Sequence, residues 1–193
     1  MGPGRVDWII RSIQNLSIDL RFGRSLRGNL DTRNAALGAY KTVNTDYADL
    51  RALFAGRIRA SDVLVDVGCG KGRVINYWLW RGHRGRIVGL ELDEELARRT
   101  RERLRRWKNV TIVTGDAVAN IPEDGTVFYL YNPFNAQLLK RFLDRLYEVS
   151  EAKSDLRVFY YSSKHLDVLQ ADGRWNLETF VLGPEEVAIA TVT

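Results

Sequence analysis

The stretch from Val63 to Val74, Val-Leu-Val-Asp-Val-Gly-Cys-Gly-Lys-Gly-Arg-Val, constrains the fold more than any other part of the chain. Its first five residues are aliphatic except for Asp66, as in a strand buried on both faces. Glycines then occupy every second position of a turn (Gly68, Gly70 and Gly72), and an apolar run with helical spacing follows. Because glycines let backbone N–H groups approach a ligand, the stretch predicts an α/β sheet with a small-molecule site at this turn.

Glycine turns of this kind also bind dinucleotides, and two residues argue against that ligand here. Arg73 stands where the dinucleotide fingerprint G-x-G-x-x-G has its third glycine. Asp66 lies two residues before the first glycine, where a carboxylate repels a pyrophosphate but suits a cationic ligand with an amino-acid head. The turn therefore favours another cofactor, and a nucleotide-dependent oxidoreductase stays open as an alternative.

The next three predicted strands also end in polar residues. The second strand is apolar until Glu91, which lies about 20 residues beyond the glycine turn, where an acid can accept both hydroxyls of a ribose. The third strand runs into Gly115-Asp116-Ala117, and the fourth ends at Asn132-Pro133-Phe134. Because ligands of open α/β sheets bind at the carboxyl ends of the strands, these residues are expected to converge near the glycine turn.

Taken in order, Asp-Val-Gly-Cys-Gly-Lys-Gly-Arg-Val, Gly-Leu-Glu-Leu, Gly-Asp-Ala and Phe-Tyr-Leu-Tyr-Asn-Pro-Phe resemble the motifs of class I, Rossmann-like S-adenosylmethionine-dependent methyltransferases. They are similar to small bacterial methyltransferase-domain proteins, and the Asn-Pro-Phe corner is distantly similar to that of non-SET protein-lysine methyltransferases. The resemblance covers about residues 40–193 and implies S-adenosyl-L-methionine as cofactor, with S-adenosyl-L-homocysteine as product. The cofactor-binding residues that it implies are Thr45, Asp66, Gly68, Cys69, Gly70, Glu91, Leu92, Asp116, Ala117 and Asn132.

Asn132, Pro133 and Phe134 form the candidate catalytic corner, because Asn-Pro-aromatic at the fourth strand end is typical of methyltransferases that act on nitrogen. The Asn132 side-chain oxygen and a carbonyl near Pro133 can accept hydrogen bonds from an amine and aim its lone pair at the methyl group. Proline fixes the turn, and Phe134 can stack on a planar or cationic group. The second proline of Asn-Pro-Pro-Tyr in adenine- and glutamine-modifying enzymes is absent. A protein lysine or another amine is therefore favoured as acceptor.

The predicted reaction is an in-line displacement, which needs orientation and desolvation more than acid catalysis. An ammonium acceptor must lose a proton before it can be methylated, and the sequence shows no evident base for this step. Solvent or a tyrosine such as Tyr131 therefore stays open as the base. N-methylation of RNA, DNA or a small molecule stays open, as does a protein that binds the cofactor without chemistry. An aminopropyltransferase is disfavoured, because the corner offers no acids to hold a polyamine.

The predicted fold is a doubly wound, mostly parallel seven-stranded α/β sheet that ends in an antiparallel hairpin over residues 175–192. Residues 1–40 are predicted to form an N-terminal extension of helix and loop, before a methyltransferase domain over residues 41–193. Apolar side chains at helical spacing predict an amphipathic helix over residues 5–20, packed on the domain or serving as a lid, a dimer contact or a membrane-surface helix. A second helix is predicted from Thr42 to Ala55, capped by Asn44 or Thr45.

Composition limits the remaining possibilities. The 193 residues are most economically one domain, 45% hydrophobic and 27% charged. No apolar run is long enough for a predicted membrane span, and the opening residues lack a signal peptide. The lone Cys69 and two histidines argue against a metal site. These features favour a cytoplasmic enzyme.

The net charge of +5 is unevenly distributed, with basic residues prevailing in the first two thirds of the chain and acidic residues in the last third. Many of the arginines fall between Arg98 and Arg106, in a helix that Asp93 is predicted to cap. A solvated helix face is the ordinary interpretation of such a run, and a nucleic-acid-binding surface is the alternative.

Overall fold

The computed structural model describes residues 5–28, 44–150 and 155–193. Along the chain, the helices and strands are α1 (Arg5–Arg21), α2 (Tyr47–Phe54), β1 (Leu64–Val67), α3 (Arg73–Trp80), β2 (Ile87–Glu91), α4 (Glu94–Leu104), β3 (Val110–Thr114), β4 (Val127–Tyr131), α5 (Ala136–Val149), β5 (Arg157–Tyr161), α6 (Leu166–Gln170), β6 (Trp175–Leu182) and β7 (Glu185–Val192). None of the described helices is long and apolar enough to cross a membrane.

The strands form a seven-stranded sheet in the order β3-β2-β1-β4-β5-β7-β6. Strands β1 to β5 are parallel, whereas β7 pairs antiparallel with both β5 and β6. The predicted fold class, with its C-terminal hairpin, is thereby confirmed. The strand order changes direction beside β1, since β2 lies on one side of it and β4 on the other. Ligands of open α/β sheets bind at such a switch point, outside the carboxyl ends of the strands.

Helices cover both faces of the sheet, and side chains of each strand alternate between the two cores. In β1, Leu64 belongs to the core shared with α1, α2, α3 and α4, whereas Val65 belongs to the core beneath α5 and α6. All four residues of β1 are buried, which is why its sequence is apolar almost throughout. The buried exception, Asp66, faces the first core because it has the same parity as Leu64.

The second helix begins later than the sequence predicts. Asp46, with an extended backbone, is the residue that precedes α2, and the two predicted caps are engaged elsewhere. Asn44 Nδ2 donates to the Leu26 carbonyl at 2.7 Å, and Thr45 Oγ1 lies 2.6 Å from Tyr129 Oη. The predicted cap of α4 is confirmed, since Asp93 Oδ1 accepts the Leu96 N–H at 2.8 Å. Helix α6 has five residues, too few for a hydrophobic period to predict it.

The N-terminal helix forms where it is predicted, but it packs with its polar side inward. Asn15, Ile18 and Asp19 are buried. The large apolar side chains are at least 44% exposed, namely Trp8, Ile9, Ile10, Ile13 and Leu20. The predicted loop is described only as far as residue 28, and the predicted domain boundary at residue 40 lies outside the described residues.

Candidate active site

Asp66 lies at the centre of the candidate site. The register of β1 places it between Gly89 of β2 and Tyr129 of β4. The side chain is buried, and no group among the described residues donates a hydrogen bond to its Oδ2 atom. Burial, together with the nearby Glu91, raises the pKa of Asp66 well above its ordinary value. A buried carboxyl oxygen without a donor fits a ligand that carries a cationic amino group.

The glycine turn after β1 brings backbone N–H groups close to Glu91. The N–H groups of Gly68 and Cys69 both donate to the Leu90 carbonyl at 2.9 Å, and the Gly70 N–H donates to Glu91 Oε2 at 2.7 Å. Gly68 has a φ of +74°, and a Cβ atom there would lie 3.3 Å from Pro133 Cβ. The turn therefore requires a glycine at this position for both its backbone conformation and its contact with the fourth strand end.

Glu91 ends β2 with both carboxyl oxygens bonded to backbone. Besides the bond from Gly70, its Oε1 atom accepts the Asp93 N–H at 2.9 Å. Burial raises the pKa of Glu91, although the backbone donors oppose that shift. Each oxygen has a second lone pair, so the carboxyl can still accept hydroxyl groups of a ligand. Leu92, which follows it, is half-buried.

The turn after β3 lies beside Glu91, because the Gly115 N–H donates to the Glu91 carbonyl at 2.9 Å. Asp116 is exposed, and its Oδ1 atom accepts the Val118 N–H at 2.9 Å in a local turn. Ala117 is half-buried. The sequence prediction that Asp66, Glu91 and Asp116 lie at the same edge of the sheet therefore agrees with their places in adjacent strands.

Asn132 follows β4 in a strained conformation, with a φ of +39° that asparagine tolerates better than most residues. It is buried, and its Oδ1 atom accepts a hydrogen bond of 2.8 Å from the Tyr160 hydroxyl. Tyr160 belongs to β5 and lies opposite Leu130 in the sheet. Sequence reasoning missed Tyr160, because nothing in its apolar strand marks one tyrosine as a partner of the corner.

Phe134, the aromatic residue of the corner, lies in the core beneath α5. Phe134 is only 8% exposed, and its ring packs 5.3 Å from that of Phe142 in the core beneath α5. Phe134 is buried because its ring packs against the apolar side of α5. The ring is therefore a packing element of the corner, and the predicted stacking on an acceptor has no exposed ring face.

Tyr131 and Tyr161 end the neighbouring strands β4 and β5, with ring centroids 5.0 Å apart and nearly perpendicular rings. Burial raises the pKa of Tyr131 to about 12, and the carboxylates of Glu185, Asp49 and Asp46 add to the shift. A pKa in this range keeps Tyr131 a neutral phenol at neutral pH.

Two basic residues of the glycine turn bind the N-terminal segment. Arg73 forms a buried ion pair with Asp19, whose Oδ2 atom lies 2.7 Å from the guanidinium. Asp19 Oδ1 also accepts the Tyr47 hydroxyl at 2.9 Å. Lys71 Nζ donates to the carbonyls of Leu26, Arg27 and Gly28, and burial lowers its pKa. The turn and the segment before it thus form one polar network, which sequence spacing could not reveal.

The arginines of α4 are largely engaged within the molecule. Arg98 pairs with Glu95 and Glu102, and Arg99 pairs with Glu95. The guanidinium of Arg101 donates to the Ile112 carbonyl at 3.0 Å. These contacts match the predicted solvated helix face and leave less free positive charge for a nucleic acid than the sequence alone indicates.

Comparisons with known proteins agree with this geometry. Residues 64–152 match the family model described as a methyltransferase domain, whereas no curated protein sequence matches the chain. An RNA methyltransferase from Salinibacter ruber, in complex with S-adenosyl-L-homocysteine, is 24% identical, with a TM-score of 0.60 over 78% of this chain and 94% of that one. The S-adenosyl-L-homocysteine-bound methyltransferase PaMTH1 of Podospora anserina is 13% identical, with a TM-score of 0.63 over 78% and 80% of the two chains.

A precorrin-6y C5,15-methyltransferase from Geobacter metallireducens is similar as well, 17% identical with a TM-score of 0.61 over 78% of this chain and 90% of that one. These likenesses show a shared fold. The region that matches the family model contains the strands and turns that carry Asp66, Glu91, Asp116 and Asn132. The Asp66 Oδ2 atom, which has no hydrogen-bond donor among the described residues, fits the cationic S-adenosylmethionine. Residues 64–152 therefore carry a methyltransferase domain, and the chain has the Rossmann-like fold of class I S-adenosylmethionine-dependent methyltransferases.

Proposed function

We propose that this enzyme methylates a nitrogen atom, in a protein lysine or another amine, at the corner formed by Asn132 and Pro133. The observation that carries the proposal is the Asn132 amide. It is buried at the end of the strand next to the glycine turn, its backbone has a positive φ, and Tyr160 fixes its oxygen at 2.8 Å. Pro133 packs close to Gly68 of the turn, so the corner and the proposed cofactor site adjoin.

S-adenosylmethionine, when bound, supplies a methyl group on a sulfonium that is its own leaving group. In this proposal the Asp66 carboxyl binds the amino group of the cofactor, and Glu91 accepts the ribose hydroxyls with its free lone pairs. Asp116 accepts the adenine amine. The glycine turn (Gly68, Cys69 and Gly70) completes the proposed cofactor site together with Thr45, Leu92 and Ala117. Asn132 borders this site through its backbone, whereas its side chain serves the acceptor.

The Asn132 oxygen has two lone pairs, and Tyr160 uses one of them. The second can accept an N–H of the acceptor, so that the nitrogen lone pair points toward the cofactor site. Such orientation can contribute several kcal/mol to a displacement that needs no acid. A lysine acceptor must first lose a proton, and Tyr131 is too weak an acid to be an anion near pH 7.

The surroundings of the corner favour a cationic acceptor. The rings of Tyr131 and Tyr161 lie at adjacent strand ends, and burial, with a further contribution from nearby carboxylates, raises the pKa of both phenols. Arg11 pairs with Asp49 at 2.9 Å and offsets part of this negative charge. Aromatic faces and carboxylates attract an ammonium group and repel a phosphate backbone. An amine is therefore preferred to RNA or DNA as the methyl acceptor. Labelling with the cofactor distinguishes these acceptors.

Replacing Tyr160 by phenylalanine tests the positioning of Asn132. The change removes one hydroxyl, so we expect turnover to fall about tenfold, which corresponds to the loss of one hydrogen bond. Cofactor affinity should stay within about twofold, because Tyr160 lies on the acceptor side of the site. Single-turnover kinetics and calorimetric titration with S-adenosyl-L-homocysteine measure the two effects. An equal loss of turnover and cofactor affinity would contradict the role given to Tyr160.

Replacing Asp66 by asparagine should stabilise the ligand-free enzyme and weaken cofactor binding. The folded-state pKa of Asp66 is raised, so between the unfolded and folded pKa values the folded protein binds more protons than the unfolded chain. Stability from this group therefore falls as the pH rises above about 4. We expect the variant to melt higher than the wild type at pH 7 and equally at about pH 4.

The same variant should bind S-adenosyl-L-homocysteine roughly 10- to 100-fold more weakly, since a hydrogen bond to a charged group is lost. Melting curves between about pH 4 and 8, with and without the ligand, measure both effects. Asp124→Asn is the matched control, because Asp124 is exposed and pairs only with Arg86 among the described contacts. A variant that melts lower than the wild type at pH 7 would contradict the unpaired state of Asp66.

The acceptor class can be identified with methyl-labelled cofactor. We expect label to appear in protein, as methylated lysine, or in an amine-containing small-molecule fraction of a cell extract. Asn132→Ala serves as the inactive control. Label found only in RNA or DNA, and absent with Asn132→Ala, would replace the amine by a nucleic-acid acceptor. Transfer to an oxygen or carbon would overturn the nitrogen assignment.

A further inference from the structure

The N-terminal helix presents an apolar outer face, formed by Trp8, Ile9, Ile10, Ile13 and Leu20. These side chains are between 44% and 66% exposed. At about 100° per residue, Ile9, Ile13 and Leu20 fall within one narrow stripe, with Ile10 at its border. Trp8, in the first turns of the helix, is 66% exposed as well, although its direction around the helix axis is close to that of the buried Asn15. The isoleucines and Leu20 therefore form one exposed apolar stripe along α1.

The polar contacts of the opposite side hold this outer face toward solvent. Arg11 Nη1 lies 2.9 Å from Asp49 Oδ1, and Asn15 Nδ2 donates to Asp46 Oδ1. Asp19 pairs with Arg73 in the interior. A rotation of the helix that buried the isoleucines would expose or break these contacts, including a buried ion pair. The apolar face is therefore a fixed feature of the folded domain.

Positive charge surrounds the C-terminal end of the face. Arg21 and Arg24 are exposed, and Arg106 reaches the same place, since its Nη2 atom donates to the Arg21 carbonyl at 2.7 Å. Arg27 is exposed too and lies against the helix, where its Nη2 atom donates to the Ser12 carbonyl at 3.1 Å. The carboxylate at the inner side, Asp19, is already neutralised by its partner. Basic groups beside an apolar stripe complement an anionic phospholipid surface.

The size of the face argues against a second copy of the chain as its occupant. A helix of 17 residues is about 25 Å long and about 10 Å wide, so one side of it offers roughly 250 Å². A stable interface buries about 800 Å² on each partner. A bilayer needs no such area, because tryptophan, isoleucine and leucine side chains enter the boundary between headgroups and acyl chains.

We propose that the outer face of α1 binds the surface of a membrane that contains anionic phospholipids. The helix would lie in the plane of the interface, with its isoleucines inserted and the arginines at the headgroups. Its inner side remains bound to α2 and α3, so the candidate active site would be held beside the bilayer. The inference does not depend on which nitrogen the enzyme methylates.

Sedimentation with vesicles tests the proposal on the full chain, without cofactor or acceptor. We expect the enzyme to sediment with vesicles of phosphatidylcholine and phosphatidylglycerol, and much less with phosphatidylcholine alone. The paired change Ile9→Ser and Ile13→Ser should lower the partition coefficient at least about tenfold, since two inserted side chains are lost. Raising the salt concentration should also release the protein, because the arginine contribution is screened.

Val181→Ser is the matched control, because Val181 is an apolar residue that is 73% exposed and belongs to β6 rather than to α1. It should bind vesicles like the wild type. Circular dichroism and melting curves establish that the paired variant is folded. Absence of vesicle binding by the wild type, or equal binding by the paired variant, would overturn the proposal. So would a stable dimer that the paired variant alone abolishes.

Discussion

Replacing Asn132 by alanine should reduce turnover about a hundredfold, because a positioned acceptor contributes at least this much to a displacement. The amide is buried beside the proposed cofactor site and contacts Tyr160. Affinity for S-adenosyl-L-homocysteine should change by no more than about twofold, since Asp66 and Glu91 are untouched. Single-turnover rates and calorimetric titration give the two quantities separately.

Asn176→Ala is the control for this experiment, since Asn176 is an exposed amide in β6, on the far side of the sheet from the corner. Its turnover should equal that of the wild type. If Asn132→Ala kept its turnover, the proposed acceptor role of the amide would be lost. If turnover and ligand affinity fell together, Asn132 would serve the cofactor site instead.

Replacing Asp19 by alanine should lower the free energy of unfolding by about 3–5 kcal/mol, because it leaves the Arg73 guanidinium buried without its counter-charge. The side chains of this pair are 0% and 7% exposed, and their atoms lie 2.7 Å apart. The Tyr47 hydroxyl and the Leu26 N–H lose their acceptor as well. Urea denaturation, with cofactor absent, measures the loss.

The double variant Asp19→Ala and Arg73→Met should recover much of that stability, since the unpaired charge is gone. Glu95→Ala is the control: it also removes a carboxylate that contacts arginines, but on the exposed side of α4, so its effect should be far smaller. Similar losses from Asp19→Ala and Glu95→Ala would mean that the buried pair contributes no more than a surface pair.

Local patterns were sufficient to predict the elements that adjoin the glycine turn. The apolar run around Asp66, the alternating glycines and the acid at the end of β2 each predict the local structure from a few neighbouring residues. Parallel strands then bring their carboxyl ends to one edge, so the convergence of Asp66, Glu91 and Asn132 follows from the topology. The hairpin at the end of the chain was predictable for the same reason, from two apolar runs separated by Gly183.

The partners across the fold were not predictable from spacing. Tyr160 is 28 residues from Asn132, and Asp19 is 54 residues from Arg73, so nothing local connects them. The apolar pattern of α1 predicted the helix but not its inward side, because the buried Asn15 and Asp19 contact partners that lie far along the chain. The burial of Phe134 was not predictable from spacing either, since it depends on the side of α5 that covers it.

The contact between Asp19 and Arg73 has a consequence for where this domain can be cut. The family match begins at residue 64, which invites a shortened protein that starts shortly before β1. Such a fragment would keep the arginine and lysine of the glycine turn but lose the carboxylate and the carbonyls that neutralise them. The charges of Lys71 and Arg73 would then repel each other beside the proposed cofactor site. The smallest independently folding piece is accordingly expected to include the first helix, although the family signature omits it.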